Sequence, residues 1–179
     1  MKPENSDNSI RLILLVILII FGGVIFYVHE LTVARESAVS VAQPTKYKNN
    51  IYQVSLEFPA DWQPTGDSVF DSYYGTSGFF KLAVSNAKNT TVSALAEKDI
   101  KDIAHPYGSA PTTGSIVVGG QAAVLVTPSS DQDVSLHGRS ELIVEYPKPV
   151  MISGQVYTYL IVQADKTHIT DIARSLTFN

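Results

Sequence analysis

The chain has 179 residues and a formal net charge of −4, a length that fits one domain plus an accessory segment. It contains no cysteine, which excludes disulfides, thiol nucleophiles, cysteine-ligated zinc and a lipid-modified N-terminal cysteine. The acidic balance without a basic stripe argues against a nucleic-acid partner and against polybasic attachment to lipid headgroups, because both depend on phosphate contacts.

Residues 1–11 form a polar tail. Leu12 to Val28 is then an unbroken, uncharged apolar run. As a helix it spans about 26 Å, close to the roughly 30 Å of a hydrocarbon core. Ile10 and Leu31 can lengthen it, and Arg11 can snorkel to the headgroups. Gly22-Gly23 would weaken a soluble helix but is tolerated in a membrane one. A helix apolar all round has no face to give to solvent. The expectation is a single transmembrane signal anchor at 12–28.

Cleavage before Gln43 is the rival reading, since Ser40-Val41-Ala42 supplies small residues. That site lies about 14 residues beyond the run, too far for usual processing. Glu30, Arg35 and Glu36 also intervene. Arg11 abuts the span, whereas Arg35, Lys46 and Lys48 are dispersed. The tail is therefore expected in the cytoplasm and the rest outside the cell membrane. Residues 29–46 read as a linker that Pro44 keeps from continuing as helix. Residues 47–179 read as one soluble extracytoplasmic domain, large enough to fold without metal or disulfide.

Within the domain, Tyr52, Val54, Leu56 and Phe58 alternate with Gln53, Ser55 and Glu57, the period of a half-buried strand. Pro59-Ala-Asp-Trp62 closes it. Val69 to Tyr74 and Phe79 to Ser85 read as a hairpin turning through Gly75-Thr-Ser-Gly78. A helix follows near Val92 to Ala104, capped by Thr90 or Thr91, with Leu95, Ile100, Ile103 and Ala104 inward. Ser115 to Val118 and Gln121 to Thr127 form a second hairpin through Gly119-Gly120. Glu141 to Tyr146 sets Leu142, Val144 and Tyr146 against Glu141, Ile143 and Glu145. Gln155 to Ala164 is apolar on both faces and reads as a central covered strand. A last helix near Thr167 to Leu176 carries Ile169, Ile172, Ala173 and Leu176, with Asp165 as its cap. This order predicts an α+β fold: a mainly antiparallel sheet of about six strands flanked by two helices and preceded by the transmembrane helix. No glycine-rich phosphate loop is present.

The opening Tyr52-Gln-Val-Ser-Leu-Glu-Phe-Pro-Ala-Asp-Trp62 and the closing Ser175-Leu-Thr-Phe178 resemble the PsbP superfamily. That resemblance covers residues 47–179 and implies an antiparallel sheet flanked by helices. A second resemblance is to uncharacterised membrane-anchored extracytoplasmic domains of Gram-positive bacteria. It is carried by Gly78-Phe-Phe80, Pro106-Tyr-Gly108 with Pro111, Gly120-Gln-Ala122, Pro128-Ser-Ser-Asp-Gln132, Tyr146-Pro147 and Ala164-Asp-Lys-Thr-His-Ile169. The two resemblances imply fold and placement. They transfer no mechanism, and no photosystem role.

Candidate chemistry is sparse. His105, His137 and His168 lack metal-ligand spacing. Ser129, Ser130 and Asp131 with a remote histidine would be needed for a hydrolase triad, but Gly-x-Ser-x-Gly is absent and serines in such a run commonly shape a turn. Asp131 and Asp133 offer oxygen ligands without a full calcium-loop signature. Asn89-Thr-Thr91 fits a glycosylation acceptor only in a eukaryotic secreted protein. Tyr73, Tyr74, Phe79, Phe80 and Tyr107 stand near glycine-bearing turns and are the candidate recognition patch. No catalytic, cofactor-binding or metal residue is assigned. The expected function is non-catalytic: a membrane-anchored domain that binds a protein or cell-wall component of the envelope. The alternatives are a membrane-bound hydrolase and a small-molecule sensor or carrier.

Overall fold

Alternation of buried and exposed side chains is cleanest in Val54–Phe58, where Val54, Leu56 and Phe58 are buried and Ser55 and Glu57 half-buried. The structure, a computed structural model, describes residues 43–66 and 71–179. The anchor expected at 12–28 lies outside the described residues, as does most of the linker. Among the described residues no helix is long and apolar enough to cross a membrane.

The described elements are β1 (Thr45–Asn49), β2 (Val54–Phe58), β3 (Gln63–Pro64), β4 (Asp71–Tyr74), β5 (Phe79–Ser85), α1 (Val92–Ile100), β6 (Thr112–Val118) and β7 (Gln121–Thr127). A 3₁₀ turn (Val134–Leu136), β8 (Arg139–Ile152), β9 (Gln155–Asp165), α2 (Ile169–Ser175) and β10 (Thr177–Phe178) complete them. They fall into a three-stranded sheet, β1-β2-β10, and a seven-stranded sheet, β3-β4-β5-β9-β8-β7-β6. Every described pairing is antiparallel. The α+β reading with two helices therefore holds, but the described residues form ten strands rather than about six. The seven segments read as strands along the sequence are all present, and β1, β3 and β10, too short or too polar to show a period, are added to them. Thr45 and Lys46, assigned above to the linker, begin β1.

One face of the large sheet carries Phe80, Leu82, Leu142, Val144, Leu160 and Val162. These pack with Val54, Leu56, Phe58 and Trp62, and with Ile169, Ile172 and Leu176 of α2 and its end. The other face carries Val124, Val126, Ile143 and Tyr159 against Val92, Leu95 and Ala96 of α1, with Tyr107 beside them. Strand β8 is thus buried on both faces, as expected of β9. Glu141 and Ile143, on the face opposite Leu142 and Val144, are both buried, Glu141 to 2% exposure.

Two further differences have local causes. Thr91 caps α1, its hydroxyl accepting from Ala94 N at 3.2 Å. The helix stops at Ile100 rather than Ala104, because Asp102 and His105 close successive turns and His105 takes positive φ. Ile103, expected inward, is consequently 94% exposed. Strand β8 runs through Pro147 and Pro149 because its pairing with β9 shifts register between Glu145 and Val150. There the missing N–H groups break no ladder bond.

Candidate functional site

Three segments meet at one end of the large sheet: the β4–β5 turn from Tyr74 to Phe79, the loop from Pro128 to Gly138, and Asp165 to Thr167 after β9. They line an open cleft of about 590 Å³.

The β4–β5 turn is held from beneath by the Pro59-Ala-Asp-Trp62 segment. The Trp62 indole N–H donates to Ser77 Oγ at 2.9 Å. Asp61 Oδ2 accepts from Thr76 and Ser77 at 3.2 and 3.3 Å. Gly75 packs so closely on Trp62 that a Cβ there would overlap the indole ring. Gly78 leaves the same kind of space for the Asp165 carboxylate and His168.

Asp165 is buried at the base of the cleft. Its Oδ2 accepts from Phe79 N at 3.2 Å, and its Oδ1 from Thr167 N at 3.0 Å and His168 N at 3.3 Å. His168 Nδ1 lies 2.8 and 2.9 Å from the two carboxylate oxygens. The His168 ring stands edge-on to Trp62 at 5.0 Å. Asp165 therefore ties the β4–β5 turn to the turn that leads into α2, which it caps rather than the helix itself, and the His168 ring it holds meets Trp62.

The Pro128–Gly138 wall is built by local polar side chains. Ser129 Oγ lies 2.5 Å from Asp131 Oδ1 and 3.3 Å from Tyr107 O, and accepts from Ala110 N at 3.2 Å. Asp131 also accepts from Ser109 N at 3.2 and 3.3 Å. Hydrogen bonds from Ser109 and Ser129 hold its carboxyl down at about 2. Gln132 Nε2 donates to Pro106 O at 2.8 Å and Arg139 O at 2.9 Å. Asp133 accepts from Ser135 N at 2.8 Å, and His137 ends the 3₁₀ turn with φ of 54°.

These geometries sort the sequence candidates. Ser129 is engaged in turn formation, and its partners include no histidine. Ser130 and His137 both line the cleft. His168 serves the Asp165 clasp, and His105 closes a turn after α1. Asp131 and Asp133 cap backbone amides. Among the described residues no three His, Asp or Glu side chains are grouped to hold a metal ion.

The aromatic patch divides in two. Tyr74 and Phe79 line the cleft, their rings stacked at 5.1 Å and 12°, with Tyr74 45% exposed. Tyr73 and Phe80 point to the opposite face, where they stack at 5.0 Å among Tyr47 and Phe58. Alternation across the cross-strand pairs Tyr73–Phe80 and Tyr74–Phe79 separates them. Tyr107 is buried under α1, its hydroxyl donating to Glu141 Oε2 at 2.7 Å. Tyr73, Phe80 and Tyr107 therefore do not belong to a surface patch.

The Tyr107–Glu141 bond is part of a buried polar group that the strand periodicity concealed. Gln163 Nε2 donates to Glu141 Oε2 at 3.0 Å, and the Arg139 guanidinium lies 5.8 Å above the Tyr107 ring. Asp99 of α1 lies close enough to Glu141 for the two carboxyls to affect each other. Glu141 Oε1 is buried without a hydrogen-bond partner. Burial, followed by the nearby Asp99 charge, pushes the Glu141 carboxyl up to about 7. Burial also raises Asp99.

No family model matches the chain, and no curated protein matches it. Among solved structures, the chain is similar to the solution structure of cyanobacterial PsbP (CyanoP) from Synechocystis sp. PCC 6803, with 13% identity, a TM-score of 0.46 and coverage of 79% of this chain and 96% of that one.

Proposed function

We propose that the chain is a non-catalytic binding module, carried on the outer side of a cell membrane by the apolar run at 12–28, and that the cleft beside Tyr74 is its recognition site for an envelope component. The observation that carries this reading is the division of labour around the cleft. Ser129, Asp131, Gln132, Asp165 and His168 are engaged in holding loops. Tyr74 alone among the predicted aromatics offers a substantially exposed ring, braced by Phe79. A braced aromatic beside fixed polar loops supplies contact area at low entropic cost. The resemblance to extracytoplasmic domains of Gram-positive bacteria supports the placement, and the phrases that carry it include three stretches of this cleft: Gly78-Phe-Phe80, Pro128-Ser-Ser-Asp-Gln132 and Ala164-Asp-Lys-Thr-His.

The test is site-specific photocrosslinking in intact cells from a photoreactive residue at position 74, with the exposed position 103 as control. The expected result is a discrete adduct from position 74 and none from 103. Equal labelling from both positions, or none from 74, overturns the assignment.

One observation favours a second reading, a hydrolase: Ser130 and His137 line the same cleft. Turnover of an ester or amide substrate that Ser130→Ala and His137→Ala each abolish, with the fold intact, would replace the binding reading with that one.

A further inference from the structure

The two edges of the large sheet differ. At one end β3 is two residues long and contains Pro64, which cannot donate to another strand. At the other end β6 is seven residues long, pairs with β7 without a register break, and carries neither charge nor proline in Thr-Thr-Gly-Ser-Ile-Val-Val. Among the described residues no strand pairs with its outer side. Unguarded edges of this length invite another strand, and proteins usually blunt them with charge, proline or a bulge. Here one edge is blunted and the other is not.

We propose that β6 pairs edge to edge with β6 of a second copy of this chain, antiparallel about a two-fold axis at Ser115. The turn after β6 uses Gly119 and Gly120, both at positive φ, so Val118 and Gln121 close a two-residue hairpin. Alternation then turns the backbone N–H and C=O of Thr113, Ser115 and Val117 outward. With Ser115 facing Ser115 of the second copy, Thr113 faces Val117 and Gly114 faces Ile116.

Three features fit this occupant. The strand is uncharged, so two copies of an acidic molecule meet there without like charges face to face. Thr113 opposite Val117 is a β-branched pair, and it covers Val117, which is 74% exposed. A Cβ added at Gly114 would have no neighbour within 4 Å, leaving a notch over which Ile116 of the other copy lies. Glycine within a strand marks close approach by another backbone. A two-fold contact needs one self-complementary patch, and this strand is one.

The test uses the full-length chain in detergent micelles and exploits the absence of native cysteine. A directly opposed antiparallel pair has the Cα separation a disulfide requires. Ser115→Cys is expected to form a disulfide-linked dimer under mild oxidation several-fold faster than Val134→Cys, which is exposed but off the edge. Adding Val117→Lys to Ser115→Cys, which replaces the β-branched contact with Thr113 of the second copy by a charge on each side of the axis, is expected to remove that advantage while the circular dichroism stays unchanged. Cross-linking at Ser115 no faster than at Val134 overturns the proposal. So does an advantage that survives Val117→Lys, or coupling of Ser115→Cys only to a different protein when cell extract is present.

Discussion

At the level of single residues, the informative group is Glu141. A carboxyl whose folded value lies above its unfolded one stabilises the fold when protonated. That contribution is fully present below the unfolded value, near 4.5, and is lost as pH rises through about 7. The domain should therefore lose stability between about pH 4.5 and 7, by about 1–3 kcal/mol, and change little above that. Glu141→Gln keeps one oxygen to accept from Tyr107 and Gln163 without the ionisation. Denaturant melts across that range should be steeply pH-dependent for the native sequence and clearly less so for Glu141→Gln, in which the buried Asp99 still titrates upward. Gly78 gives a second residue-scale expectation. Gly78→Ala forces a methyl into the Asp165–His168 clasp and should cost about 1–3 kcal/mol, read as a lowered Tm. Neither role was visible along the chain. Glu141 sits on the face opposite Leu142 and Val144, and only the covering of β8 by α1 changes its meaning. The clasp joins residues near 62, 78 and 165, which no local pattern connects.

At the level of elements, legibility followed the strength of the local pattern. Strand β2, the β6–β7 turn and the α2 stripe were readable because amphipathic period or paired glycines specify them. The C-terminal end of α1 was not, because the helical period continues through Ile103 while local turn bonds end the helix. The aromatic candidates divided for a related reason: residues adjacent in sequence lie on opposite faces of a strand, so a cluster in sequence is not a cluster in space. Two substitutions separate these points. Leu176→Ala, at the buried end of α2, should cost about 2–5 kcal/mol by leaving a cavity against β2. Ile103→Ser should change stability by no more than about 0.5 kcal/mol, since the side chain is in solvent. Chemical denaturation of the two variants checks both.

For the whole molecule, the apolar run at 12–28 and the folded domain make separate demands on solvent. If the run is an anchor, full-length protein should sediment with membranes, resist extraction by salt, and be released by detergent. Protease added to intact, wall-stripped cells should then degrade the domain. Soluble full-length protein with its first forty residues intact would contradict the anchor, and protection of the domain would contradict its outward placement.

The proposed recognition site is the cleft formed by the β4–β5 turn, the Pro128–Gly138 loop and the residues after β9. Backbone amide shifts of the full-length protein in micelles, followed during titration with solubilised envelope components, test it most directly. Shifts concentrated at residues 74–79, 128–138 and 165–167 are expected. Shifts concentrated instead around Lys46, Lys48, Ser55 and Glu57, where β1 and β2 line a second hollow, would contradict it.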